Sequence, residues 1–287
     1  RGSGRIHTWG GSWLAGLEVD EVLELILLAY FSAIASGLLV GSISLPLILS
    51  RSTLFALTMT HSVLGGAILG VYLNVVFNLG VPAPIIAFIT ALLLSILVAE
   101  LSEKIFSEDV AIALVVAIAT AITVIFSYLV VQVSSTGLAQ AWLYVAGSSA
   151  VSTMEDLQKM LSALVVVAPL MHLITRELKY IAFDMDGAIA MGLNVRVYRY
   201  LFFGLSALAT AILASSIGIL ATHILLAVPG ALAIKLTRRM PYLVSYLSAI
   251  GLSLGGYAIA QLLNIPPSGG IGILSAITII GMVVKRE

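Results

Sequence analysis

Residues 175–199 read TRELKYIAFDMDGAIAMGLNVRVYR, a charged interruption in an otherwise strongly apolar chain. The stretch lies between apolar runs at 158–175 and 200–217, each close to the roughly 20 residues that cross the hydrocarbon of a bilayer. It carries seven of the chain's 28 basic and acidic residues, namely Arg176, Glu177, Lys179, Asp184, Asp186, Arg196 and Arg199. A membrane protein that keeps a polar segment of this size between two spans is expected to use it to contact a soluble partner.

The composition excludes several classes of protein. Hydrophobic residues make up 60% of the 287 residues and charged residues only 10%, with a mean hydropathy of +1.13, which excludes an ordinary soluble domain. The chain has no cysteine, so disulfides, thiolate metal ligands and cysteine nucleophiles are excluded. The formal net charge of zero offers no electrostatic basis for binding nucleic acid.

We predict an all-α polytopic membrane protein with about nine transmembrane helices. The apolar runs lie near 23–49, 54–73, 83–103, 111–133, 158–175, 200–217, 218–235, 243–262 and 270–284. The last run is short, and the sixth and seventh are separated only by Ser215, Ser216 and Gly218, so eight spans is the alternative. Residues 1–21 are expected to form an exterior tail or an artificial extension, and 22–287 a single transmembrane domain.

The basic residues predict the orientation in the membrane. Cytoplasmic connections of membrane proteins carry an excess of Lys and Arg. If the loop at 176–199 is cytoplasmic and the spans alternate, 11 of the 14 Lys and Arg residues lie on the cytoplasmic side. This predicts a multi-pass protein of the plasma or inner membrane, with an exterior N-terminus and a cytoplasmic C-terminus.

Two histidines lie inside predicted spans. His61 stands in LFALTMTHSVLGGAILG with Thr58 on the same helical face, and His223 stands in GILATHILLAVPG. Ionisable groups at membrane depth are costly and usually face protein or water. The functional interpretation makes both histidines contacts of a translocation path, with neutral imidazole nitrogens as transient metal ligands. The alternative is a buried histidine that bonds a neighbouring helix.

The acidic residues and the motifs narrow the mechanism further. No Asp or Glu lies in the centre of a predicted span, which disfavours a proton-coupled secondary transporter because such proteins need carboxylates within the membrane. The sequence has neither an HExxH motif nor a Walker A loop. The chain is therefore not expected to be an enzyme or to hydrolyse ATP by itself.

The centre of the charged loop predicts a short helix. In FDMDGAIAMGL, Asp184 is placed to cap the helix, Asp186 favours its positive end, Ala188–Met191 form an apolar turn and Gly192 closes it. A short, capped and partly apolar helix suits insertion into a groove of a partner. A plain connector is the alternative.

Four segments share their order and spacing with one known family. Arg51 followed by THSVLGGAILG is similar to an arginine followed by AHAxLPGxxxG, and WLYVAGSSAVSTMEDL is similar to YLFGSIL followed by S and DL. FDMDGAIAMGL is similar to FDPEFAxxxGL, and SIGILATHILLAVPGALA with LTRRM is similar to VGxLLVxALLVxPAATA followed by an arginine. On these segments the chain resembles the permease subunits of ABC-type metal-ion uptake systems, which import zinc, manganese or iron(II).

The resemblance implies a type II ABC importer fold. It implies a homodimeric membrane domain, two cytoplasmic ATPase subunits that use ATP–Mg, an extracellular solute-binding protein, and no cofactor in this chain. It implies alternating access, driven by a coupling helix. His61 falls on the family histidine. Asp184, Ala188 and Gly192 match the coupling element position for position, and Met191 lies within that element.

One position departs from the family pattern. The family usually has an aspartate four residues before the histidine, and here that position is Leu57. Leucine cannot ligate a cation, so either His61 holds metal with other groups, for which Thr58, Met59 and His223 are candidates, or the substrate differs. The alternatives are the permease of a siderophore, haem or cobalamin importer, a carrier or channel that works alone, and a degenerate family member with a regulatory role.

Overall fold

The computed structural model describes residues 19–147 and 153–284. These residues form eleven α-helices and no β-strand, which confirms the predicted all-α fold. The helices are α1 (Val19–Leu49), α2 (Phe55–Phe77), α3 (Ala83–Lys104), α4 (Glu108–Val133), α5 (Ser135–Ala146), α6 (Met154–Phe183), α7 (Met185–Ala190), α8 (Val195–Ile217), α9 (Ile219–Leu236), α10 (Pro241–Leu263) and α11 (Pro267–Val284). Most of the predicted tail, residues 1–18, lies outside the described part of the chain.

Nine of the described helices correspond to the nine predicted spans. Eight of them, α1 to α4, α6 and α8 to α10, are long and apolar enough to cross a membrane. α11 is shorter, and its apolar part is Pro267–Met282. The described helices therefore include eight spans without α11 and nine with it. Gly218, with a φ of +85°, divides α8 from α9, because a left-handed backbone cannot continue a right-handed helix.

α6 is longer than the apolar run that predicted it. The run ends at residue 175, but the helix continues to Phe183 because the extension contains neither Gly nor Pro. Leu178 remains buried while Lys179 is exposed, so the extension is amphipathic. At the other end of α6, Thr153 and Asp156 form a capping box, a reciprocal pair of side-chain-to-backbone hydrogen bonds.

α5 lies between the fourth and fifth predicted spans. Ser134 caps it by accepting a hydrogen bond of 3.1 Å from the backbone N–H of Gly137. The helix packs against α2, α4, α8 and α9. Its twelve residues reach only about 18 Å, so α5 is too short to cross the hydrocarbon.

Small residues bring neighbouring helices into close contact. A Cβ atom on Gly66 of α2 would lie 2.6 Å from the Cβ atom of Thr90 on α3. The backbone N–H of Gly230 on α9 donates to the Ser44 hydroxyl of α1 at 2.8 Å. Because close backbone packing and interhelical hydrogen bonds hold membrane helices together, these contacts fix α2 and α9, the two helices that carry the predicted site histidines.

Candidate functional site

The tertiary structure brings together the two histidines that the sequence places in separate spans. His61 lies on α2 and His223 on α9. Nδ1 of His223 lies 2.9 Å from Oγ1 of Thr60, the residue before His61, although Thr60 and His223 are 163 positions apart in the chain. Both imidazole rings are half-buried and lie within range of electrostatic interaction. We call Thr60, His61 and His223 the histidine site.

The histidine site lies on two helices that are long and apolar enough to cross a membrane. Phe55, the first residue of α2, stacks on Phe203 with ring centroids 4.0 Å apart. Phe203 lies about 12 Å from the start of α8. His61 lies about 9 Å from Phe55 along α2. On α9, His223 is about 20 Å from the end of the helix at Leu236. Because a bilayer core is about 30 Å thick, both imidazoles lie within the depth of the membrane, and His223 is about 6 Å from the start of α9.

A pocket of about 430 Å³ opens beside His223. It lies where α5, the start of α9 and the start of α11 meet, and its lining includes Trp142, Leu220, His223, Pro266 and Ser268. His223 is the ionisable side chain among its lining residues. The pocket therefore leads to the histidine site from the side of the bundle where α5 lies.

The donor atoms of the histidine site are nitrogens and a hydroxyl oxygen. Among residues 19–147 and 153–284, no group of three or more His, Cys, Asp and Glu side chains is placed to hold a metal ion. Leu57, at the position of the family aspartate, presents only hydrocarbon. Two imidazoles can contact a cation without closing a coordination shell around it.

Buried hydroxyl groups lie on α2 and on its neighbour α8. The side-chain oxygens of Thr58 and Ser62 on α2, and of Ser206 and Thr210 on α8, are buried without a hydrogen-bond partner among the described residues. The members of each pair are four residues apart and share a helix face, and α2 packs against α8. Sequence reasoning missed Ser206 and Thr210, although their spacing in an apolar helix was an available signal.

His172 lies outside the histidine site, on an exposed part of α6. Its ring packs against Tyr242 at a centroid distance of 4.6 Å and against Tyr246 at 6.0 Å. Its Nδ1 lies 3.0 Å from the carbonyl oxygen of Ala168. His172 is thus a partnered histidine at the helix surface, and it serves as a control for substitutions at His61 and His223.

α7 forms the short helix predicted in the charged loop. Asp184 caps it by accepting a hydrogen bond of 2.9 Å from the backbone N–H of Gly187. Ala188 is fully buried, whereas Met191 is 65% exposed. Gly192 follows with a φ of +83° and ends the helical turn. The predicted helix and its caps are confirmed, and the docking role of these residues stays a prediction.

Charged and polar residues tie the start of α8 to the end of α3. Nη2 of Arg196 lies 2.6 Å from Oε1 of Glu103, and the Tyr200 hydroxyl donates to Oε1 of Glu100 at 2.6 Å. We call these four residues the α3–α8 cluster. Since α8 begins shortly after α7 ends, the cluster connects the segment that carries α7 to α3, which packs against α2.

Comparison with known proteins identifies relatives along most of the chain. The chain is 28% identical over 252 residues to the manganese import system permease protein ScaB of Streptococcus parasanguinis, covering 87% of this chain and 86% of ScaB. It is 29% identical over 259 residues to the manganese transport system membrane protein MntD of Bacillus subtilis (strain 168), covering 85% of this chain and 88% of MntD.

A solved structure has a similar fold. A chain of PsaBC from Streptococcus pneumoniae, in complex with Fab, superimposes with a TM-score of 0.73 at 21% identity, covering 90% of this chain and 93% of that chain. The sequence model of the ABC 3 transport family matches residues 22–286. Because this match includes all the helices that could cross the membrane, the chain belongs to the ABC 3 transport family.

Proposed function

We propose that this chain is the permease subunit of an ATP-driven importer that moves a divalent metal ion across the membrane. The observation that carries the proposal is the contact of His223 with Thr60, the residue before His61, between two membrane-spanning helices. Ionisable side chains at such positions are costly and mark transport pathways. Neutral imidazole is a ligand for several divalent transition metals. The names of ScaB and MntD as manganese transport proteins support a metal ion as the cargo.

The proposed path lies at the interface between two copies of the chain. Both site imidazoles are half-buried in the single chain. A second copy that faces the histidine site would shield them from lipid and would add a second pair of imidazoles to the same path. Each copy then offers weak contacts to the cation, and the dimer axis opens to one side of the membrane at a time.

The energy for this opening comes from an ATPase subunit that binds ATP–Mg in the cytoplasm. Ile189 on α7 and Met191 directly after it have exposed apolar side chains. These side chains suit a groove on that subunit. Ala188 is buried beneath them, so a displacement of α7 is passed to its neighbours α6 and α8. This chain catalyses no reaction itself, and its own residues contact and release the cation.

The orientation follows from the same assignment. α7 faces the cytoplasm in the cell membrane, so the chain begins outside and ends inside the cell. The pocket beside His223 then opens towards the exterior side, where an extracellular solute-binding protein would deliver the cation. High affinity belongs to that protein, because a deep binding site within the path would slow release.

Uptake by reconstituted protein tests the proposal. The chain is incorporated into liposomes with its ATPase subunit and binding protein, and ATP-dependent entry of Zn²⁺, Mn²⁺ and Fe²⁺ is followed with an internal fluorescent indicator. We expect His61→Ala to lower the rate for the transported ion by about tenfold, equivalent to about 1.4 kcal/mol of lost interaction. His172→Ala is the control and should retain the rate of the unchanged protein.

Two results would contradict the proposal. Normal uptake of every ion by His61→Ala would remove His61 from the path. Uptake that proceeds without the ATPase subunit would exclude an importer of this type and would favour a carrier that works alone.

A further inference from the structure

The Thr60 hydroxyl contacts one ring nitrogen of His223 and two backbone carbonyls. A hydroxyl has one proton to donate and lone pairs with which to accept. Oγ1 of Thr60 lies 3.1 Å from the carbonyl oxygens of both Ala56 and Leu57, which only accept. One hydroxyl proton cannot serve both the carbonyls and Nδ1. We assign it to a carbonyl, so that the 2.9 Å contact with His223 is a bond that Nδ1–H donates to Oγ1 of Thr60.

This arrangement leaves Nε2 of His223 as the nitrogen with a free lone pair. A neutral imidazole that is protonated at Nδ1 binds metal through Nε2. Histidine ligands in metal sites commonly donate the other ring N–H to a fixed acceptor, which sets the tautomer and the orientation of the ring. Thr60 supplies that acceptor, and its bonds to the backbone of α2 hold it in place.

His61 offers a second nitrogen ligand next to this pair. Its ring has no hydrogen-bond partner among the residues that the structure describes, although it is half-buried. The Leu57 side chain adds no donor, but the Leu57 carbonyl is one of the two acceptors that orient Thr60. The backbone of Leu57 thus helps to position an imidazole on another helix.

The type of ligand atom determines which class of cation a site prefers. Imidazole nitrogen suits Zn²⁺, Fe²⁺, Ni²⁺ and Cu²⁺, whereas carboxylate and other oxygen ligands suit Mn²⁺ and Mg²⁺. A site with two imidazoles and no carboxylate therefore widens the ordinary advantage of zinc over manganese. An aspartate beside the histidine would reduce this advantage of zinc over manganese.

We propose that Thr60 positions His223 as a nitrogen ligand beside His61, and that this carboxylate-free site selects a borderline divalent cation of the Zn²⁺ type over Mn²⁺. The inference rests on the function proposed above and names the substrate class of that site. The inferred cation differs from manganese, the metal in the names of ScaB and MntD. Thr60 acts as a positioning residue, because it contacts the ligand and not the cation.

Equilibrium binding to the full chain in lipid nanodiscs tests the inference. Affinities for Zn²⁺ and Mn²⁺ are measured separately, and the zinc coordination is determined by X-ray absorption at the zinc edge. We expect Thr60→Val to weaken Zn²⁺ binding by about 10–100-fold, as for other residues that orient a histidine ligand, and Thr60→Ser to restore it. His223→Ala should halve the imidazole contribution to the zinc spectrum.

Thr222→Val is the matched control for Thr60→Val. Thr222 is also buried and also donates to its own helix, at 2.8 Å from the Gly218 carbonyl, and it is adjacent to His223 in sequence. We expect it to leave zinc affinity unchanged. Leu57→Asp, which restores a carboxylate, should lower the ratio of zinc affinity to manganese affinity.

The possible failures of the two proposals are distinguishable. If Thr60→Val leaves zinc affinity unchanged, or if Leu57→Asp leaves the zinc-to-manganese ratio unchanged, the inference about Thr60 and cation class is wrong while ATP-driven uptake through His61 stands. If neither cation binds at millimolar concentration, the selectivity claim is wrong as well. Normal uptake by the His61→Ala variant would instead overturn the proposed path.

Discussion

Gly147 and Gly218 lie with their backbones in direct contact. Gly147 has a φ of +92° and Gly218 a φ of +85°. A Cβ atom on Gly147 would lie 2.6 Å from the carbonyl carbon and oxygen of Ile217, and one on Gly218 would lie 2.6 Å from the carbonyl carbon of Ala146. The end of α5 is thereby fixed to the junction of α8 and α9, close in sequence to His223.

This contact predicts that Gly218 tolerates no side chain. Gly218→Ala requires a left-handed backbone with a Cβ atom, at a cost of about 1–3 kcal/mol, and adds a clash with α5. We expect a lower midpoint of thermal unfolding in detergent and weaker uptake. Gly251→Ala is the control, since Gly251 is an exposed helix residue with no atom near the added Cβ, and it should not lower the midpoint.

The aromatic stack at the start of α2 predicts a large effect on stability. Phe55 is fully buried and stacks on Phe203. Phe55→Ala should destabilise the protein by about 3–5 kcal/mol because it leaves a cavity in the core. Phe183→Ala is the control, since Phe183 is 85% exposed. Equal effects of the two substitutions on unfolding by denaturant would contradict the core position of Phe55.

The Arg196–Glu103 pair predicts a small effect on stability and a larger one on transport. Both side chains are about half exposed, and exposed ion pairs contribute about 0.2–1 kcal/mol. We expect Arg196→Ala to change unfolding by no more than this, yet to lower uptake because movement of α7 is no longer passed to α3. The exchanged pair Arg196→Glu with Glu103→Arg should recover uptake. Failure of the exchange to do so would indicate that the charges act independently.

The exposed apolar surface of α7 predicts the docking site of the ATPase subunit. Ile189→Glu and Met191→Glu place a charge on side chains that are 55% and 65% exposed, so the fold should remain intact while binding of the ATPase is lost. Co-purification of the ATPase with the tagged chain measures this. Leu262→Glu, an equally polar change at an 81% exposed site on α10, should leave co-purification unchanged, and equal losses in all three variants would argue against docking at α7.

Much of the architecture follows from local patterns in the sequence. Each of the nine apolar runs became one helix, and Asp184 and Thr153 cap the helices as their side-chain chemistry predicts. The resemblance to metal-ion permeases is confirmed by the match of residues 22–286 to the ABC 3 transport family. Helix ends were less predictable, as α6 shows, because a helix can continue into polar residues after the apolar run that predicted it has ended.

By itself, the sequence determined an all-α membrane protein with a capped polar helix between two spans, because membrane length, hydropathy and capping depend on residues that are neighbours in the chain. Only the tertiary structure decided that His223 lies beside Thr60 and His61, and that Ser206 and Thr210 are buried without a hydrogen-bond partner among the described residues. Helix pairing in lipid depends on close contacts between small residues and on hydrogen bonds across helices, and hydropathy carries no information about either.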